Sequence, residues 1–244
     1  MTAGGGPRRA VVTGASRGLG AVIARVLADD GYELLLTARG AGPLEAVAAE
    51  LRGRGATVTA VAGDVADPGL RARVGETVRQ AGPLHVLVNN ASELGPSPLP
   101  PLAQYPLPEL DRVYRVNVFA PLAWVQELLE PLASANGLVV NVSSDAAVAG
   151  YPGWGGYGSS KAALDLLSKT LANELAPRGV SVVSVDPGDL RTAMHQAAFP
   201  GEDISDRPLP SVTVPFWQWL LHQEHGAVSG GRFRAQADRW EAVR

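Results

Sequence analysis

The sequence predicts an α/β protein, one parallel sheet covered by helices on both faces. Three observations predict it. Short apolar runs alternate with longer helix-like segments, the runs are apolar at nearly every position, and a glycine-rich turn joins the first run to the first helical segment. Strands that alternate with crossover helices pair in parallel, and such strands are buried on both faces.

Residues 10–13, 34–37, 58–62, 86–89, 138–142 and 180–185 are the candidate strands, each rich in Val and Leu. Between the first two lies a helix over 19–29, with Ile23, Val26 and Leu27 on one stripe. Six prolines crowd 95–108, which predicts a stiff extended connection rather than a helix. Segment 110–132 reads as helical. Pro121 there marks a first turn or a kink, because proline lacks the N–H and crowds the preceding turn. Residues 228–233 add a candidate edge strand. There is no internal repeat, and the proline-rich stretch is too short for a linker, so 1–244 reads as a single domain.

Hydrophobic residues make up 46% and charged residues 18% of the 244, enough apolar material for a large core. A formal charge of -3 offers a polyanion nothing, so no nucleic-acid partner is expected. With no cysteine there is neither a disulfide framework nor thiolate chemistry. No apolar run approaches the roughly 18 residues that span a bilayer. The glycine-rich start lacks the core of a signal peptide, so a cytoplasmic protein with no membrane partner is expected. His222 and His225 have no carboxylate–histidine constellation beside them, and no metal site is expected.

The turn Thr13-Gly14-Ala15-Ser16-Arg17-Gly18-Leu19-Gly20 sits between a strand and a helix. Glycines there allow a tight turn and a close backbone approach to a pyrophosphate, which rests at the positive helix N-terminus. After the second strand the chain reads Leu36-Thr37-Ala38-Arg39, with no acid before Glu45. A carboxylate near this strand end would hold the ribose 2′-hydroxyl of NAD. Ala38 takes that place, and the guanidinium groups of Arg39 and Arg17 suit a 2′-phosphate. The expected cofactor is NADP(H).

Tyr157 and Lys161, four apart on a predicted helix, share one face. A phenol with a pKa near 10 is a poor base at neutral pH. A nearby ammonium, joined by oxidised nicotinamide, favours the phenolate. The G-x-S-x-G elbow of a serine hydrolase is absent.

These pieces occur in a particular order. T-G-x-x-x-G-x-G is followed by Asp64-Val65, Asn89-Asn90-Ala91, Asn117, Ser143-Ser144, Tyr157 with Lys161, Pro187-Gly188 and Thr192. The set resembles the short-chain dehydrogenase/reductase family over residues 8–194. The resemblance implies a Rossmann-type doubly wound sheet of about seven strands. It also implies hydride transfer between a nicotinamide and a carbonyl or alcohol, with Tyr157 as general acid/base, and a homo-oligomer, dimer or tetramer. Its catalytic residues fall on Asn117, Ser144, Tyr157 and Lys161. Ser144 would bind the substrate oxygen, and Asn117 would order a water relay behind Lys161. Its cofactor contacts fall on Gly14, Ser16, Arg17, Gly18, Leu19, Gly20, Arg39, Asp64, Val65, Asn90, Ala91, Tyr157, Lys161, Pro187, Gly188 and Thr192. Two departures stand out: Ser92 where the family has glycine, and His85 where it often has aspartate. A regulator that keeps the fold without turnover, an NAD-dependent alcohol dehydrogenase and a sugar-nucleotide epimerase are the alternatives.

Residues 193–225 are expected to form a substrate lid, because Pro200, Gly201, Pro208 and Pro210 interrupt regular structure there. Tyr151, Trp154, Met194, His195, Phe199, Phe216, Trp217 and Trp219 are candidates for either the core or the pocket wall. An apolar pocket with Ser144 and Tyr157 as its polar pair predicts a neutral, hydrophobic carbonyl substrate. Arg191 and Arg207 are the cations near enough to favour an anion instead.

Overall fold

A computed structural model describes residues 6–242. Its strands are β1 (Arg9–Thr13), β2 (Glu33–Ala38), β3 (Val58–Ala62), β4 (Val86–Asn89), β5 (Leu138–Val142), β6 (Ser181–Asp186) and β7 (Arg232–Arg234). They form one sheet in the order β3-β2-β1-β4-β5-β6-β7, with every pairing parallel. The strand order reverses between β1 and β4, so a crevice opens beyond their C-terminal ends, where doubly wound sheets bind ligands. Alternate side chains enter opposite layers. Val12, Leu36, Val88 and Val140 face one core, and Val11, Leu35, Leu87 and Val139 the other.

Helices α1 (Gly18–Asp29), α2 (Ala41–Gly53) and α3 (Pro68–Ala81) connect the first strands. Asp67 caps α3, accepting from the N–H groups of Gly69 and Leu70. The segment expected as one helix over 110–132 is broken. It comprises α4 (Leu107–Tyr114), a π turn (Arg115–Phe119), α5 (Ala120–Glu127) and α6 (Leu129–Ser134). Pro121 sits in the first turn of α5, where its missing N–H is harmless. The long α7 (Gly155–Leu175) follows β5, and α8 (Ala193–Ala198), α9 (Val214–Leu221) and α10 (His225–Val228) separate β6 from β7. Among the described residues, no helix is long and apolar enough to cross a membrane.

The segment 193–225 has two environments. Residues 193–195, Phe199 and 209–211 face the cleft at the sheet's C-terminal edge. In α9, Phe216, Trp217 and Leu220 are buried against the layer that contains α1, and Phe216 and Trp219 pack on Phe233 and Trp240. These three aromatics are therefore core and not pocket wall. His85 also has a structural use, since its Nδ1 accepts from the Arg9 N–H at 3.1 Å between β4 and β1.

Candidate active site

A cleft of about 1110 Å³ opens beyond β1, β4, β5 and β6. Of the residues expected to bind cofactor or act in catalysis, all but Asn117 line it.

Thr13 organises the glycine turn. Its hydroxyl accepts from the N–H groups of Asn90 and Ala91, both at 3.0 Å, and donates to the Val88 carbonyl at 3.3 Å. Asn90 Nδ2 returns to the carbonyls of Thr13 and Gly14 at 2.9 and 3.2 Å. Asn90 thus braces the turn. Gly14 has a φ of +67°, and a Cβ there would stand 2.8 Å from Asn90 Nδ2. A Cβ at Gly20 would lie 2.3 Å from the Gly14 carbonyl oxygen. The two glycines are fixed by this packing as well as by conformation.

Ser16, Arg17, Gly18 and Leu19 of the glycine turn line the cleft, as do Asp64, Val65 and Ala91. Arg17 and Arg39 are exposed there. Arg39 lies 3.6 Å from Glu93, a carboxylate the sequence reading did not weigh, which also lies 3.6 Å from Arg112. The Val65 carbonyl is fixed by the Trp124 indole at 3.1 Å. Thr192 caps α8, accepting from the His195 N–H.

Tyr157 and Lys161 stand one turn apart on the buried face of α7, with Asp165 a turn further on. Lys161 Nζ donates to the Val142 carbonyl at 2.8 Å and lies 5.5 Å from the centre of the Tyr157 ring. Burial pulls its pKa down to about 8, against an opposing pull from Asp165. The phenol behaves differently from the expectation. The protein's own groups push its pKa up, because burial outweighs the hydroxyls of Ser92 and Ser144, which act the other way. Ser144 Oγ donates to Asp145 Oδ1 at 3.0 Å and accepts from the Ala146 N–H at 3.2 Å, so it caps the turn after β5. Ser143 Oγ is buried in the same wall without a partner.

Asn117 lies behind the site, fully buried in the π turn. Its Nδ2 donates to the Glu93 carbonyl at 2.8 Å and to Ser160 Oγ at 2.9 Å. Its Oδ1 accepts from the Glu93 N–H at 2.8 Å and from Ser92 Oγ at 3.1 Å. Both amide protons and both lone pairs are spent, which leaves the side chain nothing with which to hold a water. Among the described residues, no group of three or more His, Cys, Asp or Glu side chains could hold a metal ion.

The sequence model described as short chain dehydrogenase matches residues 8–203. The chain belongs to the short-chain dehydrogenase/reductase family. It is 35% identical over 210 residues to the 3-oxoacyl-[acyl-carrier-protein] reductase FabG of Staphylococcus aureus strain Mu50, covering 85% of this chain and 83% of that one. Its fold is similar to a short chain dehydrogenase from Salmonella enterica serovar Typhi, with a TM-score of 0.88 and 28% identity, covering 95% and 96% of the two chains. A short chain dehydrogenase from Escherichia coli CFT073 complexed with NADPH matches with a TM-score of 0.87 and 29% identity, covering 94% and 97%. This short-chain dehydrogenase/reductase is thus an oxidoreductase by family.

Besides Glu93, the charged residues Asp165, Asp186 and Arg232 beside the cleft carry no motif in the sequence. Asp165 follows Lys161 by one helical turn and was legible in principle. Arg232 pairs with residues 67 and 88 positions away, and no local pattern signals that.

Proposed function

We propose that the protein is an NADP(H)-dependent oxidoreductase acting on the carbonyl or alcohol of a neutral, hydrophobic small molecule. The observation that carries this reading is the juxtaposition of Ser144, Tyr157 and Lys161 at the floor of the cleft. The residues present fit the dinucleotide. A positive-φ glycine turn opens α1, Thr37 Oγ1 and Ser143 Oγ are buried in the cleft without partners, and no carboxylate stands at residue 38. The NADPH-bound E. coli relative supports the phosphorylated form.

When bound, the nicotinamide supplies or takes up the hydride. The protein's own groups handle the substrate oxygen. Ser144 Oγ, once its one proton turns from Asp145 Oδ1, donates to it and stabilises the charge that develops there. Tyr157, whose burial keeps it protonated at neutral pH, gives that oxygen its proton during reduction and becomes a phenolate; in the reverse direction it is the phenolate that takes the proton from the alcohol. Lys161, charged below about pH 8, supplies the positive field beside the phenol. Trp154, edge-on to Tyr157 at 5.8 Å, and Phe199, 6.0 Å from Trp154, form an apolar wall that excludes water.

The test follows NADPH consumption across ketones, aldehydes and quinones for the wild type and Tyr157→Phe. Turnover on some member of the panel is expected, with the variant at least about a hundredfold slower and its NADPH affinity within a few-fold. Equal turnover by Tyr157→Phe would overturn the proposal.

A further inference from the structure

Arg232 sits on the edge strand β7, next to β6 in register with Ser184. Its side chain is only 11% exposed. Nε donates to Asp165 Oδ2 at 2.9 Å, and Nη2 donates to the Ser144 carbonyl at 2.7 Å and lies 3.5 Å from Asp186 Oδ2. Asp165 and Asp186 are 13% and 4% exposed, so all three charges are out of bulk water. Each contact leads to a different part of the cleft. Ser144 follows β5. Asp165 is one turn beyond Lys161 on α7. Asp186 Oδ1 accepts from the Gly188 N–H at 2.9 Å and so shapes the Pro187-Gly188 turn.

We propose that Arg232 is a positioning residue, holding the Ser144 backbone at a fixed distance from the Tyr157–Lys161 helix and the Pro187-Gly188 turn. The proposal rests on the reading of Ser144 as the hydroxyl that binds the substrate oxygen. A guanidinium suits this role because its donors lie in one rigid plane in fixed directions, so the turn after β5, helix α7 and the end of β6 are referred to a single body. A lysine, a point charge on a flexible stem with rotating donors, would not hold the three partners in fixed directions. Two carboxylates facing each other without Arg232 would repel and would be left unpaired in a buried place, which makes the arginine hard to replace. An error of about 1 Å in the Ser144 hydroxyl is enough to cost about a hundredfold in rate.

The experiment is a double-mutant cycle on the full chain, reducing an aryl ketone with NADPH well below pH 8, where Lys161 stays charged. Arg232→Lys keeps the charge and loses the fork. It is expected to lower kcat between about tenfold and a hundredfold with little change in ketone KM or in NADPH Kd. In the Ser144→Ala background the same substitution should cost less than about threefold, because the group it positions is gone. Asp165→Asn, which loosens the Nε anchor and keeps the arginine, should show a smaller loss with the same dependence on Ser144. It stands in if Arg232→Lys melts below the assay temperature. Equal losses in both backgrounds would mean a general structural role, and no loss in either would mean no role; either overturns the proposal. Ser144→Ala with undiminished kcat would instead strike the reading of Ser144, and the positioning role with it.

Discussion

Asn117 grips the backbone of Glu93 from both sides, its Nδ2 donating to the carbonyl and its Oδ1 accepting from the N–H, each at 2.8 Å. The residue therefore ties the loop after β4 to the π turn, and through Ser160 to α7. We expect Asn117→Ala to lower stability by about 2–4 kcal/mol, since it strands a backbone donor, a backbone acceptor and two hydroxyls in the interior. Ser92→Ala removes one bond and should cost about 1 kcal/mol. Urea unfolding of both variants checks the order. An Asn117→Ala protein as stable as Ser92→Ala would mean that the network is not holding the loop.

The pH dependence of reduction should report Lys161. Its pKa of about 8 means that the ammonium is lost as pH rises through that value, so kcat should decline above it. The phenol is pushed the other way and stays protonated across this range. Asp165 opposes the downward shift, so Asp165→Asn should move the declining limb to lower pH. A limb that stays put or moves up in the variant would assign the titration to another group.

The fold and the outline of the site were legible in the sequence because both depend on local pattern. Strands buried on two faces must be apolar throughout, a tight turn demands glycine, and side chains four apart on a helix must share a face. Three things were not legible. The pKa direction of Tyr157 depends on burial, which spacing does not report. The four partners of Asn117 come from 25 and 43 positions away as well as from the loop at Glu93. Phe216, Trp217 and Trp219 have the same composition whether they line a pocket or a core. Only the contact of α9 with α1 decides it.

Cofactor preference should be reversible at two positions. Ala38 ends β2 and Arg39 follows it, and both line the cleft. Ala38→Asp with Arg39→Ala places a carboxylate where a ribose hydroxyl can donate to it, and removes a cation from any 2′-phosphate. The substitution also frees Glu93 from its contact with Arg39, adding negative field. NADPH should bind at least about tenfold more weakly in the variant, and NADH more tightly, by fluorescence titration. A wild type that already favours NADH contradicts the assignment.

Self-association should use the outer face of α4, the π turn and α7. Leu107, Phe119 and Leu166 are 75%, 56% and 68% exposed on these neighbouring elements. Contiguous exposed apolar surface marks a face that packs against another subunit. Light scattering at micromolar concentration should show a dimer or tetramer, and Leu166→Glu should reduce it. A single 25.4 kDa species from the wild type would rule this out.

The last expectation concerns substrate charge. Trp154 and Met194 pack beside the phenol, Phe199 lies 6.0 Å from Trp154, and His195 lies tilted against Phe199 at 5.0 Å. Of the two nearby arginines, Arg207 is already engaged by Asp206 and lies 3.6 Å from Asp189. Arg191 is exposed at the rim, where an ion pair is worth little. Lys161, the buried cation of the cleft, already donates to the Val142 carbonyl, so an anion held at the Trp154 wall would lose its hydration without gaining a buried cation there, whereas an aryl group would bury its faces against Trp154 and Phe199. An aryl ketone should therefore exceed its matched keto acid by at least about tenfold in kcat/KM. Trp154→Ala should erase most of that margin by opening the wall, and Arg191→Ala should leave it intact. If the keto acid is preferred and the preference disappears in Arg191→Ala, the rim arginine is a carboxylate receptor and the substrate is acidic.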